Sequence, residues 1–170
     1  MNLIFGRYDM NLSQAEKLKF EDAVHIFRSK REAEEHNLKK LIGLNNTLYR
    51  MESTNYPESA KDVKEDNFNG LKRVLYLSIG AKVFLCKNLN TEAGLFNSSE
   101  GEIMDIIYEK NADPTRDLPN YVLVKFEKYE GQKNKVFPVF PITVTNDKNY
   151  KQTRTQLPLV MSYGMTVYKI

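Results

Sequence analysis

The groups best suited to chemistry in this 170-residue chain lie near its end. There "QTRTQLPLVMSYGMTVYKI" (152–170) passes from an apolar, strand-like run into Thr166, Tyr168 and Lys169. A hydroxyl and an ammonium so close together are the small and basic groups that sit on phosphate oxygens. A second concentration is "LSIGAKVFLCKNLNTEAGLFNSSEGEIMDI" (77–106). Gly80, Gly94 and Gly101 punctuate alternating runs there, and Asn88, Asn90 and Asn97 occupy the turns between them. Gly and Asn tolerate positive φ and close hairpins, so turn chemistry accounts for this stretch. A last core strand, "LPLVM", accounts for the middle of the other.

Other chemistries are excluded by what the sequence lacks. The phosphate loop G-x-x-x-x-G-K-[ST] aims backbone amides and a lysine at a nucleotide, and no Gly-Lys-Ser/Thr occurs here. No acidic pair follows a strand to hold magnesium. His25 and His36 have no cysteine or carboxylate at metal-ligand spacing, and Glu32 with His36 reads as a helical surface pair. No Ser/His/Asp or Cys/His grouping can be assembled. Cys86, the single cysteine, sits in "KVFLC" and reads as a small core residue, because nothing nearby would lower its pKa. One cysteine allows no internal disulfide, which points to a reducing compartment, cytosolic or nuclear. No apolar run approaches the ~20 residues of a membrane helix. With 25 basic and 22 acidic residues the net charge is +3, compatible with nucleic acid but short of a dedicated binder's excess.

The elements that must position these groups change in texture along the chain. "LSQAEKLKF" opens with Ser13 and Glu16, a capping box, and "SKREAEEHNLKKLIGLNN" repeats the signature with Ser29 and Glu32. Ala33, Leu38, Leu41 and Ile42 fall near helical spacing, and "GLNN" supplies a stop. Between the helices "AVHIF" (23–27) is expected as a short buried strand. Residues 53–70, polar and mixed in charge, read as a boundary loop with a solvated face, with room for a short exposed helix over "ESAKDVKED". After Gly70 come short alternating runs separated by Gly, Asn, Asp and Pro clusters, which predict a small barrel or sandwich. Pro138 and Pro141 mark an edge or irregular strand.

In this order the stretches resemble a known family. "GAKVFLCKNLNTEAGLFNSSEGEIMDIIYE" resembles the "GA-x-VML-x-NL…GL-x-NG-xx-G-x-V" segment of superfamily 1B DNA helicases of the petite-integration-frequency type, Helitron transposon versions included. "QLPLVMSYGMTVYKI" is similar to the motif those enzymes write as "QLPL-xx-AYA-x-T-x-HKSQG". "LPNYVLVKFEKYEG" and "VFPVFPITVTN" are similar to the linking strands, and "FEDAVHIFRSKREAEEHNLKKL" to a strand and helix whose motif asparagine is here Asn37. The chain departs from the pattern at Asn97-Ser98 (Asn-Gly in the family), at Ser162-Tyr163-Gly164 (Ala-Tyr-Ala), and at Tyr168-Lys169-Ile170, after which Ser-Gln-Gly does not follow.

The resemblance implies an α/β fold plus a small β-barrel: a partial second RecA-like domain (1–52), a boundary loop (53–70), an inserted SH3-like barrel (71–150) and a re-entry strand with a truncated motif (151–170). It implies a fragment of an ATP-dependent 5′-to-3′ DNA helicase, inactive alone, whose missing N-terminal RecA-like domain would carry ATP and Mg; this chain is expected to bind no cofactor. Single-stranded DNA is the implied partner. Lys169 would meet a phosphate, Thr166 would donate a hydroxyl, Tyr168 would stack on a base, and Asn88 and Asn97 would be further contacts. Two other readings fit the residues: a non-catalytic nucleic-acid- or protein-binding module, and a decayed transposon remnant with no stable fold.

Overall fold

The computed structural model describes residues 13–15 and 23–166. The first capping box falls largely outside them, since Glu16 is not described. In chain order the elements are β1 (His25–Phe27), α1 (Lys30–Gly43), β2 (Tyr49–Glu52), β3 (Thr54–Tyr56), β4 (Val74–Leu77), β5 (Lys82–Leu85), β6 (Glu100–Ile107), β7 (Tyr121–Phe126), β8 (Val136–Val139), β9 (Ile142–Asn146), β10 (Asn149–Gln156), β11 (Leu159–Met161) and β12 (Gly164–Thr166).

Helix α1 starts where its capping box requires. Ser29 Oγ accepts from the Glu32 amide at 3.2 Å, and the Ser29 amide donates back to Glu32 Oε2 at 3.1 Å. Its apolar stripe is only half used: Ala33 and Leu41 are buried, whereas Leu38 and Ile42 are exposed. Strand β1 forms but is not the buried strand its composition suggests, because Ile26 is 57% exposed. It belongs to a two-stranded parallel sheet with β12, registered His25 to Gly164 and Phe27 to Thr166. His25 and Phe27 turn toward α1, so the alternate residue faces away.

The main sheet has five strands in the order β11-β5-β6-β7-β8. Alternation sets its inner face: in β7, Val122, Val124 and Phe126 are fully buried. Buried side chains run in one cluster from Leu41 of α1 and Met51 of β2 through Leu75, Val83 and Ile103 to Leu159 of β11. The expected closed barrel does not form among the described residues. Strand β10 leaves to pair β3 and β9, β11 takes one edge by pairing β5, and β8 remains the other edge. Pro138 lies in β8, at the edge where a missing amide costs least.

The segment expected as a boundary loop is structured and packed. It contains β3 and two 3₁₀ turns, Glu58–Asp62 and Glu65–Phe68. Ala60, Phe68 and Leu71 are fully buried with Val144 of β9. What holds this segment is Arg154 of β10, itself completely buried. Its Nε donates to Asn55 Oδ1 at 2.9 Å, one terminal nitrogen to Leu71 O at 3.1 Å, and the other to the carbonyls of Ala60, Lys61 and Val63 at 3.1–3.2 Å. The guanidinium also lies 4.4 Å above the Phe68 ring. An always-charged group with five donors suits a set of carbonyls at a chain reversal.

Candidate functional site

Helix α1, strands β4 and β5, the 85–99 hairpin and strands β11 and β12 enclose a cleft of about 790 Å³. Asn37 and Leu41 of α1, Phe84 of β5, Asn97, Ser98 and Thr166 are among its walls. Two residues predicted from sequence, Asn97 and Thr166, therefore come to one place although 69 positions separate them (166 − 97). The cations at the rim are already paired: Lys30 to Asp66 at 3.4 Å, and Lys72 to Glu34 and Glu65 at 2.9 Å each. Burial works to lower the Lys72 pKa, but the charge and hydrogen bond of Glu65, with those of Glu34, outweigh it and hold it above its ordinary value. These pairs tie α1 to the second 3₁₀ turn and leave little net charge at that rim.

The hairpin wall is built by short polar contacts. The Ser98 amide donates to Leu85 O at 2.8 Å and the Leu85 amide to Ser99 O at 3.0 Å. Asn88 Oδ1 accepts from the Asn97 amide at 2.7 Å, so Asn88 positions the tip. Ser99 Oγ accepts from the Phe96 amide at 2.9 Å and donates to Gly94 O at 3.1 Å. Gly94 has φ +82°, and a Cβ there would collide with the Lys128 carbonyl oxygen. Ser98 sits at φ +71°, the left-handed conformation that disfavours side chains. Ser98→Gly is accordingly expected to stabilise the protein by about 1 kcal/mol, since it relieves that strain. The melting midpoint should rise by roughly 2–4 °C in a circular-dichroism melt.

Strand β12 forms the opposite wall. Thr166 is buried and paired with Phe27 rather than standing at a surface strand end, because β12 lies between β1 and α1. Tyr168 and Lys169 lie outside the described residues. Asn37 fixes the strand: its Nδ2 donates to Gly164 O at 3.0 Å and its Oδ1 accepts from the Gly164 amide at 2.7 Å. One side-chain amide thus replaces a neighbouring strand's backbone. A Cβ at Gly164 would stand 2.9 Å from the Phe27 ring and 3.2 Å from that of His36, so a larger residue here would displace those rings. Tyr163 Oη accepts from the Lys82 amide at 3.1 Å and the Ser162 amide donates to Lys82 O at 3.1 Å, tying β12's approach to β5.

His36 is not the surface partner of Glu32 that its spacing suggests. Its ring lies 4.6 Å from that of His25 and 5.1 Å from that of Phe27, and its Nε2 is buried without a hydrogen-bond partner. Burial, followed by the charges of His25, Lys40 and Lys39, lowers its pKa below the ordinary 6.5. The folded state therefore binds this proton less readily than the unfolded chain, and the resulting stability, complete above pH 6.5, is lost as pH falls below it. His36→Phe, which keeps the ring packing, should show a smaller fall in melting midpoint between pH 7 and 5 than the wild type. Equal falls would remove His36 from the account. No group of three or more His, Cys, Asp or Glu suited to a metal occurs among the described residues. No described helix is long and apolar enough to cross a membrane.

Arg154 does not stand out in the sequence as a site residue. The signal was a charged side chain at an inward phase of "TRTQ", between residues that alternate outward. Asn37 stands at the motif asparagine, but its partner, Gly164, is 127 positions away and has no local signal.

No protein-family model and no curated protein matches the chain. Solved structures of Pif1 helicases do. The chain superposes on Pif1 from Candida albicans with a TM-score of 0.67 at 18% identity, covering 99% of this chain and 43% of that one. With a Pif1 structure described as two coordinating helicases unwinding forked double-stranded DNA, the values are 0.60, 18%, 99% and 37%. With Bacteroides Pif1 bound to single-stranded DNA they are 0.59, 17%, 99% and 39%. The chain spans about two fifths of the length of these proteins. At such identities the likeness establishes a fold: this chain, from its parallel β1–β12 pair through its five-stranded sheet, is folded like part of a Pif1 helicase.

Proposed function

We propose that the chain is part of an ATP-dependent DNA helicase of the petite-integration-frequency type and supplies contacts to single-stranded DNA rather than the hydrolytic site. The observation that carries this reading is the likeness over 99% of the chain to Pif1 structures, one of them bound to single-stranded DNA. In this reading β1, α1 and β12 stand for an early part of the second RecA-like domain, and β4 to β9 for an inserted SH3-like unit. Unwinding from 5′ to 3′, with roles in repair, recombination, telomere maintenance or transposon replication, would belong to the complete enzyme. The cleft brings the Asn97–Ser98 tip opposite Thr166 of β12. In this reading the Lys169 ammonium meets a phosphate and the Tyr168 ring takes a base.

The residues present do not fit an ATP–magnesium site. The carboxylates at the cleft, Glu34, Glu35, Glu65 and Asp66, are paired with Lys72, Arg31 and Lys30, and the sequence contains no phosphate loop. No step of hydrolysis is assigned to this chain. The purified protein is expected to show no DNA-stimulated ATPase above buffer, while its binding to a labelled oligothymidylate weakens steeply with salt. Turnover that disappears in Lys169→Ala would overturn the first expectation. Binding indifferent to salt would overturn the second.

A further inference from the structure

The three-stranded sheet β3-β10-β9 has one face turned inward and one turned out. Asn55, Val144, Arg154 and Gln156 point in, toward the 3₁₀ turns and the core. The outward positions are Thr54 and Tyr56 on β3, Thr153 and Thr155 on β10, and Thr143 and Thr145 on β9. They align in two cross-strand rows, Tyr56–Thr153–Thr145 and Thr54–Thr155–Thr143. The Thr143 and Thr155 hydroxyls lie 2.8 Å apart, which confirms their common face. Every one of the six carries a hydroxyl, and none is charged or aliphatic.

Threonine favours strands and cross-strand threonine pairs stabilise sheets, which accounts for some of this pattern. It does not account for the absence of lysine and glutamate from the two cross-strand rows, where charges are the usual means of keeping a face soluble. Nor does it account for Tyr56, 72% exposed in a row otherwise made of threonine. The charges nearby are cationic. Lys148 and Lys151 flank the face where β9 turns into β10, and neither pairs with a carboxylate among the described residues. Asp147 is the only carboxylate in residues 142–156, and Glu58, just beyond Tyr56, is held by Lys61 at 3.1 Å.

We propose that this hydroxyl face is a binding surface for single-stranded nucleic acid, separate from the cleft. Tyr56 stacks on a base, the threonine hydroxyls donate to phosphate oxygens, and Lys148 and Lys151 supply the attraction. Alternate residues along a strand repeat at about 6.7 Å, close to the step of an extended nucleotide backbone. The two lysines select a polyanion over a neutral glycan, which hydroxyls and one ring would also suit. A second copy of the chain is a poor occupant, because six hydroxyls around one ring lack the apolar centre that such an interface needs. The proposal concerns a different surface from the cleft and stands without any assignment of helicase activity.

The test is fluorescence anisotropy of a fluorescein-labelled oligothymidylate at about 50 and 200 mM salt. Tyr56→Ala should weaken binding about fivefold or more, and Tyr56→Phe, which keeps the ring, should bind as the wild type does. Lys148→Glu with Lys151→Glu should flatten the dependence of log affinity on log salt by roughly 0.7 for each phosphate that is no longer neutralised. These side chains are exposed, so the melting midpoints should not move. Asn97→Ala, at the cleft tip, separates the two surfaces. If Asn97→Ala weakens binding while the Tyr56 and lysine variants do not, the cleft reading stands and the hydroxyl face is overturned. If the wild type binds no oligonucleotide, both fall. Retention on a neutral glucan that Tyr56→Ala abolishes, or a dimer in light scattering that it dissociates, would also overturn the proposal.

Discussion

Arg154→Ala is expected to remove most of the protein's margin of stability. The substitution leaves Asn55 Oδ1 and the carbonyls of Leu71, Lys61 and Val63 buried or half-buried without their donor, and it uncovers Phe68. A buried acceptor that loses its partner costs about 1–3 kcal/mol, and breaking a buried charged network about 3–5 kcal/mol in all. Against a usual total of about 5–15 kcal/mol that is a large share. For a chain of this size it corresponds to a fall in melting midpoint of roughly 10 °C. Burial lowers the Arg154 pKa more than Glu65 raises it, but arginine remains charged at any pH where the protein folds, so the loss should not depend on pH. Arg154→Lys should recover only part of the stability, because a single ammonium with three donors cannot reach both Asn55 and the carbonyls across the fork. The effect should appear first as faster amide exchange in residues 57–71. A midpoint within about 2 °C of wild type for the alanine variant would mean that water substitutes for the guanidinium and that the segment is held by Phe68 and Leu71 alone.

Asn37 carries the second large effect. Asn37→Ala deprives Gly164 of both its amide acceptor and its carbonyl donor in one step, for an expected loss of about 2–3 kcal/mol. The damage should concentrate at the β1–β12 corner, visible as exchange of the His25 amide, which donates to Tyr163 O at 2.8 Å. Asn37→Asp is the more discriminating variant. Its carboxylate can still accept from the Gly164 amide, but its other oxygen faces the Gly164 carbonyl. At pH 7 it should therefore be at least as unstable as the alanine variant. In the folded state the protonated carboxyl is favoured, because only it can donate to that carbonyl. Its pKa is thereby raised, so stability is present at low pH and lost as pH rises through it. The gap in midpoint between Asn37→Asp and wild type, each measured at pH 4 and pH 7, should narrow at pH 4. A constant gap would show that the donor half of the pair contributes nothing. Because Asn37 and Gly164 both line the cleft, the same variants should weaken the single-strand binding proposed for it and leave that proposed for the hydroxyl face unaffected.

Several elements were legible in the sequence because the physics that forms them is local. Ser29 and Glu32 stand three residues apart and cap each other, so the start of α1 follows from a few neighbouring letters. The alternation of "YVLVKF" gives β7 and its buried face, and Gly94, Gly80 and the Asn-rich turns fall at positive φ or at hairpin ends as their chemistry requires. The order of the motifs also pointed to the fold that the solved Pif1 structures share. Local pattern misjudged burial, however. "AVHIF" reads as a core strand, yet among the described residues β1 has a single neighbouring strand and its outward residue stays exposed. The charged side chains of 53–70 do stay at the surface, as they read, but nothing in their pattern shows that their backbone carbonyls wrap a buried arginine.

What the sequence by itself determined, then, is the set of elements and the residue types at their turns: interactions between neighbours three or four positions apart, or between alternate positions on one strand. What only the tertiary structure decided is which of those residues meet. Arg154 finds its acceptors 83 to 99 positions away, and Asn37 finds Gly164 at a separation of 127. No closed barrel forms among the described residues because β11, from outside the run that was to close it, takes the edge of β5, and β10 pairs with β3, also from outside that run. Thr166 turned inward because β12 lies between β1 and α1. Each of these depends on loop closure across most of the chain, where a side chain's own letter records only what it can bond to and not what will be there.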